Sequence, residues 1–282
     1  MREISSETIT AAVERLCIEA ATILPPSLAI LLECAAESEE SPKGVSELEG
    51  IVENYRSAAM SKLPICGNTD MTIVFADIGQ DVHITGGLFE DAVNEGMRLC
   101  ADTYGTQDPA RGRAEHMWAA LSLSDMPSVL HVRMVEGDKI GIHVVPRCFR
   151  SETMSALRMF MPDDSSGMIE DFIVDTVSKA GSNACPPIVV GVGLGGAVEQ
   201  CAIAAKRALF RSPDKRNTDE FYANMERRVL AGINRLGIGP KGVGGRFTAV
   251  AVNIEAYHMR TVGLPCVVTL GCNSTRHAYK EI

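Results

Sequence analysis

The chain has 282 residues, 46% of them hydrophobic, which is enough for one large domain or two small ones around a filled core. The formal net charge is −9 with the basic residues scattered, which speaks against nucleic acid as a partner, since binding it needs a clustered basic face. No apolar run of membrane-spanning length stands out. Met1-Arg2-Glu3-Ile4-Ser5 lacks the basic start and apolar block of a signal peptide, so a cytoplasmic protein away from any membrane is expected.

In chain order, Val13, Leu16, Cys17, Ala20, Ala21 and Leu24 have helical spacing and predict a helix over 8–24. Pro25-Pro26 stops it, and Ser27 is the expected cap of a second helix through Leu32. An acidic loop over 37–44 and a helix over 45–62 follow. The run 71–76, rich in β-branched residues, predicts a strand, and 88–100 a helix with Ala92, Val93, Met97 and Leu99 as its apolar positions. The runs 129–135 and 140–145 predict two strands, which Glu136-Gly137-Asp138 should join as a hairpin. His131 and His143 alternate within it and are expected as surface or core histidines. A helix over 168–180 is expected to end at Gly181, followed by a short buried strand over 188–190. Helices over 197–210 and 218–236 and strands over 247–254 and 265–270 complete the chain. Helices and strands mix, so the fold class is α/β (α+β), a mixed sheet with flanking helices.

Two glycine-rich stretches interrupt this pattern. Gly191-Val192-Gly193-Leu194-Gly195-Gly196 follows a strand, opens a helix and satisfies the G-x-G-x-x-G spacing of dinucleotide sites. The acidic residue that such sites place about twenty positions on, at the end of a second strand, has no counterpart in Arg211-Ser212-Pro213-Asp214. Close packing of helix on sheet is the plainer reading, and a dinucleotide-binding module the rival one. The stretch 237–245 has five glycines in nine residues but no Walker spacing, and reads either as a connector or as backbone approaching a ligand.

Nine cysteines with no secretory signal favour metal or thiol chemistry over a disulfide framework. Cys17, Cys34, Cys100 and Cys201 lie in helical patterns and are expected in the core. Cys66, Cys185 and Cys272 lie in short breaks beside Pro or Gly. Three thiolates on a four-iron cluster would leave one iron open to act as a Lewis acid. Their separation in sequence is too large for spacing to argue the point. Cys148 or Cys266 as a fourth ligand would close the cluster and turn an enzyme into a structural or electron-transfer protein.

The wording around these cysteines resembles the class I, iron–sulfur-dependent fumarases and the α subunit of L-tartrate dehydratase. The matches are Ala184-Cys185-Pro186-Pro187 running into Val190-Gly191-Val192-Gly193-Leu194-Gly195-Gly196, then Leu236-Gly237-Ile238-Gly239-Pro240-Lys241-Gly242-Val243-Gly244-Gly245, and Gly263-Leu264-Pro265. Cys272 with Arg276-His277-Ala278, and Cys66 after Pro64, complete the set, which covers most of the chain from about Val45 onward. The resemblance implies a single hydro-lyase domain over 1–282, like the N-terminal domain of class I fumarases, behind a helical segment 1–44. It implies a [4Fe–4S] cluster on Cys66, Cys185 and Cys272, and reversible hydration and dehydration of a small dicarboxylate such as fumarate, malate or tartrate. It also implies a separate β subunit supplying the second domain, and a homodimer or α2β2 assembly.

The residues also depart from the family. Where the family reads Cys-Gln-Asp-Thr-Gly, this chain reads Cys66-Gly67-Asn68-Thr69-Asp70, so an amide that cannot act as a base replaces the family acid. Asn68 and Asp70 are the catalytic candidates, and Gly67, Asn68 and Thr69 belong to the expected substrate shell. Cys148-Phe149-Arg150 stands where the family carries glycines ahead of Ser151-Glu152-Thr153, which should refit the pocket and makes Arg150 a candidate. Arg260 stands twelve residues before Cys272, in the place of a family histidine, as a candidate carboxylate clamp, and Arg111 or Arg113 fits the substrate-arginine region. These changes leave open a divergent paralogue that carries the cluster without hydratase activity.

Overall fold

In the computed structural model the described residues are 1–67, 69, 71–104, 128–257 and 262–282. In chain order they form β1 (Arg2–Ser5), α1 (Ser6–Thr22), α2 (Pro26–Ser38), α3 (Pro42–Ser61), β2 (Met71–Gly79) and β3 (Val82–Thr85). Next come α4 (Phe89–Tyr104), β4 (Val129–Val135), β5 (Ile140–Arg147), α5 (Phe149–Thr153), β6 (Ala156–Phe160) and α6 (Ser166–Ala180). The chain closes with β7 (Ile188–Leu194), α7 (Val198–Ala208), α8 (Glu220–Asn234), β8 (Ala249–Ala256), β9 (Leu264–Gly271) and β10 (Ala278–Glu281). The fold class is mixed α/β. The chain separates into two units: Met1–Leu24, Ser57–Phe149 and Arg276–Ile282 form the first, and Pro25–Arg56 and Arg150–Thr275 the second.

In the first unit a four-stranded sheet has the order β10-β5-β2-β4, and β1 pairs in parallel with β3 as a separate two-stranded sheet. The expected hairpin between β4 and β5 does not form, because β2 lies between them. Ile73 faces Val129 in a parallel pairing and Val145 in an antiparallel one. Glu136-Gly137-Asp138 instead passes across the end of β2, where the Gly137 carbonyl accepts from Asp81 N at 2.9 Å. Two strands separated by a third are about 10 Å apart, a gap those residues and Lys139 can span. β2 is buried along most of its length, which its run of apolar and β-branched residues over 71–76 anticipates. Ser5 caps α1, its hydroxyl accepting from Thr8 N at 3.2 Å. α1 lays Ile9, Val13, Leu16 and Ala20 onto Val74, Ile78, Ile142 and Val144. Gly96 of α4 lies against α1 so closely that a Cβ there would come within 2.6 Å of Thr10 O.

In the second unit the sheet order is β6-β9-β7-β8, with β7–β8 parallel and the other two pairings antiparallel. Its core joins Ile169, Ile173 and Val177 of α6 and Met225, Val229 and Ile233 of α8 to the sheet residues Val190, Val192, Val252, Ile254 and Val268. α6 ends at Gly181 in a positive-φ cap, as its sequence predicts. Asp219 caps α8 by accepting from Phe221 N at 2.8 Å.

Several local expectations need correction. Ser27 is not the cap of α2, because Pro26 occupies the first helical position, where its fixed φ and missing N–H cost nothing. α2 runs on to Ser38, so the acidic loop shrinks to Glu39-Glu40-Ser41, and Glu39 within it is buried. Cys34 is exposed on α2 rather than part of the core, whereas Cys17, Cys100 and Cys201 are buried. The stretch 6–38 contains a window apolar enough to cross a membrane by composition, contrary to the sequence reading. It is interrupted at Pro25 and divided between the two units, and each half packs its apolar face onto protein.

Candidate functional site

The structure spends the first glycine-rich stretch on packing. Gly191 and Gly193 lie inside β7, where an added Cβ would come within 2.2 Å of Ala205 O and 2.0 Å of Cys201 O. Both carbonyls belong to α7, so these glycines let a helix rest directly on the sheet. They cannot form a phosphate-cradling turn from within a strand, and the dinucleotide reading falls. Gly195 and Gly196 turn the chain toward α7 with φ of 75° and 73°.

The second stretch is an ordered turn. Gly239, Gly242, Gly244 and Gly245 all have positive φ. Gly244 N donates to Ile238 O at 2.9 Å, and Gly239 N to the Thr248 hydroxyl at 3.1 Å. A Cβ on Gly242 would reach within 2.3 Å of Ser182 Cβ, so the turn rests on the residues that lead into Cys185. Lys241, Gly242 and Val243 at its tip are exposed.

Cys185 itself has φ 54° and ψ 62°, the left-handed conformation that side chains other than glycine seldom adopt. It is exposed between buried Ala184 and buried Pro186. Two backbone donors fix the turn: Asn273 N donates to Cys185 O at 3.1 Å, and Lys241 N to Pro186 O at 2.9 Å. The Cys272 segment and the Cys185 turn are therefore neighbours within the second unit. Cys272 is partly exposed, and its carbonyl accepts from Thr275 N at 3.0 Å and the Thr275 hydroxyl at 2.7 Å. Cys266, weighed as a fourth ligand, is instead a core residue on β9, where burial pushes its thiol well up from the ordinary range. Cys148 is partly exposed at the end of β5.

Cys66 belongs to the first unit, partly exposed between α3 and β2. Thr69 lies three residues on and accepts from Arg276 Nη2 at 2.7 Å. The next residue, His277, meets His143 ring to ring at 2.9 Å between Nδ1 and Nε2, and burial lowers its pKa to about 4. His131 stacks on Phe75 at 4.9 Å between centroids. Arg150 is exposed in α5, whose neighbouring Glu152 holds both carboxylate oxygens against Lys206 Nζ at 2.6 and 2.5 Å. Asn68, Asp70, Arg111, Arg113 and Arg260 lie outside the described residues.

The donors fit a thiolate-held cluster in kind. Cys185, exposed, and Cys272, partly exposed, sit on adjacent, backbone-linked segments of one unit, and Cys66 is partly exposed in the other. Among the described residues no three His, Cys, Asp or Glu side chains converge to hold a single metal ion. Sequence reasoning missed Glu39, which nothing in its local wording singles out, and the Arg276–Thr69 and His143–His277 pairs, whose members are far apart in the chain.

The model of the fumarate hydratase (Fumerase) family matches residues 10–281, and the chain belongs to that family of hydro-lyases. Among similar proteins, one from Methanocaldococcus jannaschii named as a candidate L(+)-tartrate dehydratase subunit alpha is 33% identical over 94% of each chain. The L(+)-tartrate dehydratase subunit alpha of Escherichia coli strain UTI89 is 27% identical over 89% of this chain and 83% of its own length. That of strain K12 is 26% identical over the same shares.

Proposed function

We propose that this chain is the α subunit of a [4Fe–4S]-dependent hydro-lyase acting on a small dicarboxylate of the fumarate/malate or tartrate class. The observation that carries the reading is the Asn273 N–Cys185 O hydrogen bond, which sets two of the three cysteine segments side by side. Cys66, Cys185 and Cys272 would hold the cluster. When bound, it supplies an open iron as a Lewis acid toward substrate oxygen. Arg150, Arg260 and either Arg111 or Arg113 supply positive charge for the carboxylates, with Gly67, Asn68 and Thr69 in the same substrate shell. Asp70 is the carboxylate next along from Asn68 and the candidate to take the proton from the carbon beside a carboxylate. Removal of that proton and of hydroxide yields water with no net redox change. The relatives named as α subunits support a separate β subunit, and a homodimeric or α2β2 complex is part of the same proposal. Nine cysteines without a disulfide suit a reducing, cytoplasmic compartment. Asn68 in place of the family acid supports a second reading, a paralogue that carries the cluster without hydratase activity.

Anaerobic iron and sulfide analysis tests the assignment. About four irons per chain are expected, with loss of the cluster on Ser substitution of any one of the three cysteines. Full iron content in the triple variant would reject the ligand set. The lone chain should show little or no fumarate hydration, and addition of a β subunit should bring activity on fumarate or tartrate. Absence of activity on either with the cluster intact would select the second reading.

A further inference from the structure

We infer that Glu39 is a positioning residue for Cys185, acting through the glycine turn between α8 and β8. The inference rests on the cluster-ligand reading only for what Cys185 holds; the geometry lies entirely within the second unit. Glu39 is 8% exposed and stands between α2 and α3, far in sequence from either partner. Its carboxylate accepts from Arg246 N at 2.9 Å with each oxygen and from Phe247 N at 3.1 Å. It also accepts from Glu40 N at 2.9 Å and Ser41 N at 3.1 Å. An anion surrounded by backbone N–H groups is bound tightly only where the backbone can approach it closely. Gly245 provides that approach, since a Cβ there would lie 2.8 Å from Glu39 Oε1. A second tie runs in parallel, from Lys241 Nζ in the same turn to Glu47 on α3 at 2.8 Å.

The far side of the turn meets the cysteine. Lys241 N donates to Pro186 O, and Gly242 sits against Ser182 at a distance that excludes any side chain. Cys185, between these two points, is held in a left-handed conformation that costs about 1–3 kcal/mol unless its surroundings enforce it. The chain of contacts Glu39, 245–247, 241–242, Pro186 therefore enforces where the Cys185 thiol sits. It also gives a role to the loop after α2, which carries no chemistry of its own. The carboxylate cannot be replaced by an amide without conflict, because the amide NH2 would face N–H donors.

The test uses the full-length chain and the variants Glu39→Gln and Gly245→Ala, which open the clamp from opposite sides. Two measurements are made on protein prepared without metal. Amide exchange over 238–247 should rise at least tenfold. Iodoacetamide alkylation of Cys185, resolved by mass spectrometry, should change at least threefold relative to Cys66. Glu39→Asp, which keeps the charge, should recover part of both. A third measurement, electron paramagnetic resonance after anaerobic reconstitution, should show an altered cluster signature in both variants. Unchanged exchange over 238–247 in both variants would overturn the clamp. Faster exchange with Cys185 alkylation within twofold of the parent chain would overturn the link to the cysteine. If no preparation takes up a cluster, the function proposed above fails, while the thiol measurements still decide this inference.

Discussion

Arg276 Nη2 donates to Thr69 Oγ1 at 2.7 Å, and the arginine is only 4% exposed. Thr69 follows Cys66 by three residues, and Arg276 follows Cys272 by four. One charge-assisted hydrogen bond thus joins the segments that trail two of the candidate ligands. Hydrogen bonds to charged groups contribute about 1.5–3 kcal/mol. Thr69→Val, which keeps the shape and removes the acceptor, should lower stability in urea by about 2 kcal/mol. Thr69→Ser should stay within about 0.5 kcal/mol of the parent chain. Equal stabilities for the two variants would show that the bond contributes nothing.

The glycines divide sharply by neighbourhood. Gly193→Ala would drive a methyl to 2.0 Å from the Cys201 carbonyl, and backbone on both sides leaves little room to yield. A loss of about 3 kcal/mol, the upper end for overpacking, is expected in urea denaturation, with α7 lifted from the sheet. Gly67, beside Cys66, has nothing within 4 Å of the same position. Gly67→Ala should therefore change stability by no more than about 0.5 kcal/mol. Any loss of cluster or activity in that variant would then be local to the site.

Periodicity carried most helices and strands into view because each had one face against a core. α1, α4, α6, α7 and α8 lie close to where their apolar spacing predicts them. Pairing was less legible. β4 and β5 read as a hairpin because the turn between them is short, and nothing local reports that β2 intervenes. β1, β3, β6 and β10 are only four or five residues long, too short for alternation to register. The cysteine motifs were visible as wording, and the neighbouring positions of Cys185 and Cys272 became visible only through Asn273. Glu39 looked like one acid among several, because its function depends on amides two hundred residues away.

His277 sets a pH dependence in the first unit. Burial lowers its pKa to about 4, whereas an unfolded histidine titrates near 6.5. Between those values the unfolded chain binds more protons, so stability falls as the pH drops from about 6.5 to about 4 and levels off below. The full effect is on the order of 3 kcal/mol. Urea midpoints at pH 7 and pH 5 should differ in the parent chain, and the difference should shrink in His277→Gln. A parent chain equally stable at both values would show that His277 titrates normally.

Glu39 sets a second dependence, displaced to lower pH. Burial alone would raise its pKa, but the backbone donors from Arg246, Ser41, Phe247 and Glu40 together hold the carboxyl below its usual range. A depressed carboxylate contributes stability that is present above the unfolded value, about 4.3, and is lost as the pH falls through the folded one. Protonation removes the anion that the N–H groups surround, so the glycine turn should loosen in acid. At pH 7 the parent chain should exceed Glu39→Gln by about 1.5–3 kcal/mol. That advantage should shrink as the pH falls below about 4.3, because the unfolded carboxyl then binds a proton that the folded one resists. Urea titration of the two proteins at pH 7, 5 and 3 measures the gap directly. A gap that stayed constant down to pH 3 would mean that folding does not shift the Glu39 pKa, so that the surrounding N–H groups do not favour its charged form.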